Sequence, residues 1–276
     1  MSFTYRRRYQ GKVQAVILDW AGTTVDYGSI APVLAFTEVF HRNGIEITLD
    51  QARLPMGLEK KKHVQTLLEM DEISQQWREK KGRSWNSEDL DSLYRQFIPI
   101  QLSCLKENSL LIPGTLAVVQ ELRQRGIKIG TTTGYNSDMI SIVAAEAKIQ
   151  GFTPDCVVCS SEVPQGRPQP WMALEAAKRL LVYPMEACVK IGDTVADVEE
   201  GLNAGMWTIG LVKCGNEMGI SRAEMDSLEK SDLELRLERA RVRLLRTGAH
   251  FVMDALDGLP SVLNEIEVRL ASGEKP

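Results

Sequence analysis

A short apolar run, Val13 to Leu18, stops abruptly at Asp19 and is followed by the small and hydroxylated residues Ala21, Gly22, Thr23 and Thr24. Its β-branched and bulky composition predicts a fully buried strand of a parallel sheet. Asp19 then stands at the strand's carboxyl end, where open α/β sheets bind ligands. The same acid could instead cap a following helix, and this stretch alone leaves both readings open. From Ile30 to Leu111 the apolar spacing becomes helical, with no convincing strand. APVLAFTEVFHRNG closes on Gly44, TLDQARLPMG and LEKKKHVQTLLEM follow, a polar segment carries Trp77 and Trp85, and SEDLDSLYRQFIPIQLSCLKE opens on Ser87 as its cap. This stretch predicts an all-helical insert of roughly 80 residues, a plausible size for a small domain.

At Ile112-Pro113-Gly114 strands and helices begin to alternate. TLAVVQELRQRG is a helix stopped by Gly126, IKIGTTTG a strand, NSDMISIVAAEAKIQG a helix, DCVVCS a strand and PWMALEAAKRLL a helix. ACVKIGD is a strand ending in Asp193, VADVEEGLNAG a helix stopped by Gly205, and WTIGLV a further strand. A charged helical segment, Ser221 to Arg246, precedes a possible edge strand in AHFVMDAL and a terminal helix from Leu259. Such alternation implies right-handed βαβ units: a doubly wound, Rossmann-like parallel-sheet α/β core interrupted after its first strand by the helical insert. The predicted division is a core of residues 1–27 and 112–276 and a cap of residues 28–111. No internal repeat or low-complexity tract is present.

Composition narrows the picture. The 276 residues carry a formal net charge of −4, which gives no electrostatic argument for a nucleic acid or an acidic membrane surface as partner. Arg6 to Arg8 read as a solvated tail, because no apolar segment follows that could be an export signal or a membrane span. The tail through Lys12 has no assigned role. An odd number of cysteines, five, in a chain without export features suggests free thiols in a reducing compartment, with the cytoplasm as default. Cys156 and Cys159 lie three apart on a strand, so they point to opposite faces and read as packing residues. His41 and His250 read as structural, and Glu59, Asp71 and the Ser221 to Arg246 charges as solvated faces.

Four strand tips bring polar residues together: Asp19 with Thr23, Thr133 with Gly134, the Gly166-Arg167-Pro168 turn, and Asp193 with Asp197. Carboxylates converging at one sheet edge repel each other unless a cation lies between them, and hard oxygen ligands suit Mg²⁺. Hydroxyls, main-chain N–H groups and one arginine suit a phosphoryl group. A carboxylate can accept that group as an aspartyl phosphate. In the insert, Met56, Lys60 and His63 are spaced by four and three and would share one helix face, which could also be no more than a basic, solvated face.

DWAGT, the threonine of TTTGY, the arginine of GRP and GDTVAD resemble, in order and spacing, the four motifs of the haloacid dehalogenase superfamily, and the insert resembles its cap domain. The resemblance implies Asp19 as nucleophile, Thr133 as phosphoryl hydrogen-bond donor, Arg167 as the cation on the phosphoryl oxygens, Asp193 as Mg²⁺ ligand and Asp197 as its support. Ala21 departs from the acid that phosphatases of that superfamily carry two residues after the nucleophile.

PMGLEKKKHV together with DWAGTTVDYGSIAP, TTTGY, GRPQPWM and GDTVADVEEGLNAGMWT resembles more closely the phosphonoacetaldehyde hydrolase family, which also carries alanine at that position. This likeness implies a Schiff-base lysine at Lys60, proton shuttling by His63, and substrate contacts from Met56, Gly134 and Tyr135. It also implies a metal site at Asp19, Ala21 and Asp193, cleavage of phosphonoacetaldehyde within 2-aminoethylphosphonate degradation, and a homodimer formed through the cap. For attack Lys60 must be neutral, which burial or the neighbouring Lys61 and Lys62 would favour. The rival readings are a phosphate-monoester phosphatase of the same fold, which Ala21 disfavours, and an inactive phospho-ligand binder.

Overall fold

The computed structural model describes residues 8–276; Arg6 and Arg7 of the basic tail lie outside the described residues. The first strand, β1 (Ala15–Leu18), is shorter than the apolar run that predicts it. The insert contributes α1 (Ile30–Arg42), α2 (Leu49–Arg53), α3 (Lys60–Glu69), α4 (Asp71–Lys81) and α5 (Ser87–Leu105). The alternating part runs α6 (Thr115–Gln124), β2 (Lys128–Thr133), α7 (Ser137–Ile149), β3 (Cys156–Cys159), α8 (Trp171–Arg179), β4 (Cys188–Gly192), α9 (Val195–Asn203) and β5 (Trp207–Leu211). It ends in α10 (Arg222–Ser227), α11 (Lys230–Arg246), β6 (Phe251–Met253) and α12 (Leu259–Ala271).

The strands form one parallel sheet in the order β3-β2-β1-β4-β5-β6. The chain winds outward from β1 through β2 to β3, then crosses back to β4 on the other side. The winding direction therefore reverses between β1 and β4, the position at which doubly wound sheets leave a crevice for ligands. Both faces of β1 are buried, and its side chains alternate between them. Val16 and Leu18 join the cluster that includes Val118 and Leu122 of α6 and Leu263 and Ile266 of α12. Ala15 and Ile17 join Met172, Ala173, Ala176 and Ala177 of α8. A run apolar at every position is what this two-sided burial requires.

The insert is wholly helical, and its apolar side chains are continuous with the larger core cluster. Phe36 of α1 stacks on Phe97 of α5, with ring centroids 4.5 Å apart. Two local expectations change. Helix α5 is capped by Asn86, not Ser87: the Asn86 side chain accepts from the N–H groups of Glu88 and Asp89, and the Asp89 side chain in turn accepts from the Asn86 N–H. The polar segment around Trp77 folds as α4, because Ile73 and Trp77, one turn apart, are buried while its charges face outward. The charged segment near the end is two helices, broken where Leu228 takes an extended conformation. The predicted edge strand is β6, at the end of the sheet. Cys156 and Cys159 fall in clusters on opposite sides of the sheet, and all five cysteines are free. Among the described residues, no helix is long and apolar enough to cross a membrane.

Candidate active site

Asp19 leaves the tip of β1 with its N–H bonded to the Ile191 carbonyl of β4 (2.9 Å), so its main chain is fixed at the reversal point of the sheet. The helix-cap reading of Asp19 fails: α1 begins eleven residues later in the chain's numbering, at Ile30, and its first N–H groups are accepted by Asp26, at 3.0 and 3.1 Å. Asp193, beyond β4, accepts from the Thr23 hydroxyl (3.0 Å) on one oxygen and from the Asn216 N–H (2.7 Å) on the other. Oxygen atoms of Asp19, Asp193 and Asp197 all lie within 4.8 Å of one another.

These three carboxylates are not equivalent. Asp197 Oδ1 accepts from Lys190 Nζ (2.6 Å) and pairs with Arg167 Nη2 (3.0 Å), while Oδ2 accepts from the Thr194 hydroxyl (2.6 Å). Burial works against its charge, but Arg167 and Lys190 outweigh burial and hold its pKa below the usual carboxylate range. For Asp193 burial, Asp19 and Asp197 act in the same direction, and its pKa is pushed well up. Burial raises Asp19 to about 6, with Asp197 adding to the rise and Arg167 and Lys190 opposing it. The buried group holds four carboxylates, Asp19, Asp193, Asp197 and Glu200, against the two cations Arg167 and Lys190. Asp19 and Asp193 repel each other and neither Arg167 nor Lys190 is bonded to Asp193, so a divalent cation beside Asp19 and Asp193 would offset that repulsion. Asp197, with both oxygens engaged, fits a supporting position. Ala21 lines the same cavity and can offer only its main-chain carbonyl.

Arg167 is clamped from one side. Nε donates to Glu200 (2.8 Å), and Nη2 faces Asp19 (2.8 Å), Asp197, and the carbonyl and hydroxyl of Thr132 (3.0 and 2.8 Å). Burial opposes its charge, yet Asp197, Asp19 and Glu200 keep it firmly charged. Among the described residues Nη1 has only a 3.5 Å contact to the Gly57 carbonyl, so this N–H pair is left for an incoming anion. Thr133 ends β2, with its hydroxyl accepting from the Tyr135 N–H (3.1 Å).

The cap closes over these tips. Gly57 (φ 90°) comes so near Thr194 that a Cβ there would lie 2.3 Å from its hydroxyl oxygen, and a Cβ on Gly134 would lie 2.5 Å from the Leu58 carbonyl. Only glycine permits these two approaches. Lys60, the first residue of α3, is thereby buried, which excludes the solvated-face reading. Its Nζ lies 5.0 Å from the centroid of the Tyr135 ring and 5.6 Å from that of Phe36. Burial lowers its pKa to about 8; Asp19 opposes the shift, Arg167 assists it and Asp26 opposes it. The assisting cation is thus Arg167 and not Lys61 or Lys62, which are exposed, Lys61 pairing with Asp91.

Met56 also lines the cavity, but from the turn before α3, so the shared helix face holds for Lys60 and His63 only. His63 lies behind Lys60, stacked on Phe36 with centroids 3.7 Å apart, and is not a wall of the cavity. Burial, aided by Lys60, holds its pKa well below the usual value, so the ring is neutral. Its Nε2 lies 2.9 Å from the Ala52 carbonyl, which can only accept, so the proton sits on Nε2. Nδ1 is left as a buried lone pair without a partner among the described residues. Tyr135 is buried, and its hydroxyl stays protonated.

The residues missed at the level of sequence are Lys190, Glu200, Thr132 and Asp26. A lysine inside the apolar strand ACVKIGD is a signal that could have been used, since buried lysines are rare unless paired. Glu200 and Asp26 carry no such mark, because an acid in a helix or a loop is ordinarily solvated.

A parallel sheet with carboxylates at its reversal point, an arginine on one of them and a helical cap define a hydrolase class. The family model described as haloacid dehalogenase-like hydrolase matches residues 13–205. The chain is 47% identical over 274 residues to the phosphonoacetaldehyde hydrolase of Syntrophobacter fumaroxidans, covering 99% of each chain. It is 45% identical over 256 residues to that of Bacillus mycoides, covering 93% of this chain and 97% of the other. A crystal structure of a phosphonoacetaldehyde hydrolase-like protein from Oleispira antarctica superposes with a TM-score of 0.97 at 43% identity over 100% of both chains. A β-phosphoglucomutase from Clostridium difficile, at 18% identity and a TM-score of 0.64 over 93% of this chain and all of the other, shares the fold alone. The chain therefore belongs to the haloacid dehalogenase-like hydrolases and, within them, to the family of the phosphonoacetaldehyde hydrolases.

Proposed function

We propose that this hydrolase cleaves the P–C bond of phosphonoacetaldehyde, with one water consumed overall, to give acetaldehyde and phosphate, and that Lys60 and Asp19 carry the two covalent steps. The observation that carries the reading is a buried lysine with its pKa lowered to about 8, facing across a closed cavity the carboxylate that the family resemblance makes the nucleophile. Breaking a P–C bond directly would expel a carbanion. Neutral Lys60 attacks the aldehyde carbon, water leaves, and an iminium forms. Asp19 then attacks phosphorus while the P–C electron pair moves toward the iminium nitrogen, leaving an enamine on Lys60 and the phosphoryl group on Asp19. Protonation of the enamine carbon and addition of one water release acetaldehyde and restore the amine. A second water releases phosphate from Asp19.

Electrons are absorbed at nitrogen, so no acid is needed where Ala21 stands. General acid catalysis is typically worth about 10²–10⁴-fold, and a simple esterase with this alanine would forgo it. Arg167 Nη1 and the Thr133 hydroxyl receive the phosphoryl oxygens, and the unpaired Nδ1 of neutral His63 supports a role in moving protons near Lys60. Met56 and Tyr135 confine the carbon fragment. Asp19, Asp193 and the Ala21 carbonyl would hold Mg²⁺, which would offset charge on the phosphoryl oxygens. The boundaries of the cap, residues 28–111, and assembly as a homodimer in the cytoplasm complete the proposal.

The test is to follow acetaldehyde and phosphate together from phosphonoacetaldehyde with Mg²⁺, and to trap the iminium with borohydride. Equal release and a reduced adduct on Lys60 support the reading. A folded protein that releases phosphate from simple esters and neither product from phosphonoacetaldehyde would replace it with the phosphatase.

A further inference from the structure

Arg53, at the end of α2, turns its guanidinium to the joint between cap and core. Nη1 donates to the Gly28 carbonyl (2.9 Å) and to Asn216 Oδ1 (3.2 Å), and Nη2 donates to the Gly219 carbonyl (3.0 Å). Asn216 returns a bond from Nδ2 to the Arg53 carbonyl (3.2 Å). One cap side chain thus ties together the linker before α1 and the loop after β5. That loop is not remote from the chemistry: Asn216 is buried, and its N–H is the 2.7 Å donor to Asp193 Oδ2. On the other side Arg53 is followed within a few residues by Met56 and Gly57 of the cavity wall, and then by Lys60.

The cavity beneath the cap has a volume of about 20 Å³, room for one water and not for a substrate. Substrate admission and product release therefore require the cap to lift, and the Arg53 bonds are among those that must break.

We propose that Arg53 is a positioning residue that latches the cap shut and, through Asn216, fixes the Asp193 carboxylate in the same movement. Lys60 is then buried only when the metal-binding carboxylate is in place. A forked guanidinium is needed, because three acceptors on two separate segments are met at once and an ammonium has no such fixed fork. The catalytic consequence rests on the proposed role of Lys60, but the latch itself does not.

The experiment is pulsed acetylation of lysines in the full-length protein, read residue by residue by mass spectrometry, with calorimetric titration of Mg²⁺ alone into the same samples. Wild type is compared with Arg53→Met, Arg53→Lys and Asn216→Ala. In Arg53→Met, acetylation of Lys60 is expected to rise by about tenfold or more, as the loss of several bonds to a charged group implies, and Mg²⁺ to bind about threefold or more weakly. Arg53→Lys is expected to fall between, and Asn216→Ala to move both readouts in the same direction. Lys190, buried in β4 and paired with Asp197 and Glu200, reports on folding and stays protected. Lys60 as protected as in wild type, or Mg²⁺ affinity unchanged, in a variant whose Lys190 stays protected overturns the proposal. If Arg53→Met labels at Lys190, the other two variants decide by the same criteria. Neither readout uses phosphonoacetaldehyde, so failure of the P–C reading would leave both unmoved.

Discussion

Burial sets the protonation of Lys60, and this has consequences for both rate and stability. With a folded pKa of about 8 against an ordinary 10.5, the unfolded chain binds a proton that the native protein lacks between these values, so stability rises with pH across that window and is lowest below it. At pH 7 the charged lysine costs roughly 3 kcal/mol, taking about 1.4 kcal/mol per pKa unit. Lys60→Met is accordingly expected to melt several degrees above wild type at pH 7, the gap closing toward pH 10, while P–C cleavage is abolished; scanning calorimetry at the two pH values checks it. Lys60→Arg is expected to fold and to release no acetaldehyde. In wild type the rate is expected to climb with pH through about 8 as the amine loses its proton. Asp19 and Asp193 lead to a metal prediction. Mg²⁺ is expected to raise Tm by mass action on the native state, and that increment should vanish in Asp193→Asn, where one of the neighbouring carboxylates is gone.

Among the elements, α1 and the cap-facing loops carry the next predictions. Asp26 accepts from the N–H groups of Ile30 and Ala31, and burial raises its pKa to about 6. Asp26→Ala leaves those groups unmet and is expected to cost about 1–2 kcal/mol by chemical denaturation, whereas Asp26→Asn keeps an acceptor and should recover most of it. Because its folded pKa is raised, the contribution of Asp26 is greatest below the ordinary 3.8 and declines as pH rises through about 6. Gly134→Ala drives a methyl group against the Leu58 carbonyl. It is expected to hold the cap off its seat and to lower kcat/KM by about a hundredfold with little change in Tm, since misplacement on the scale of 1 Å can cost that much. The order of these elements was legible from periodicity and glycine stops. Less legible were α4, where two buried residues among many charges carry the pattern, and the caps Asn86 and Asp26, which compete locally with Ser87 and Ser29.

For the whole molecule, the closed cap and the core share one apolar cluster, yet the cavity between them is nearly filled. Closure therefore has to be reversible, and the polar joint at Arg53 is better suited to that than further apolar burial would be, since hydrogen bonds exchanged for water cost little net free energy. The proposed homodimer is testable by sedimentation: a species of twice the monomer mass is expected, and a monomer at working concentration would remove the cap contact from the proposal.

The sequence by itself determined the alternation of strands and helices, the helical insert after the first strand, the strand-tip positions of Asp19, Thr133 and Asp193, and the turn that carries Arg167. These follow from local periodicity and from chain order, which are properties of the sequence. Tertiary structure alone decided what each charge faces. It made Lys60 a buried amine, left Nδ1 of His63 without a partner, engaged both oxygens of Asp197 with Lys190, Arg167 and Thr194, and set Glu200 and Thr132 around Arg167. It also moved Met56 off the helix face and replaced Lys61 and Lys62 by Arg167 as the cation acting on Lys60. Electrostatic environment depends on distances across segments far apart in the chain and on the exclusion of water between them, and neither is encoded in the spacing of residues along one helix or strand.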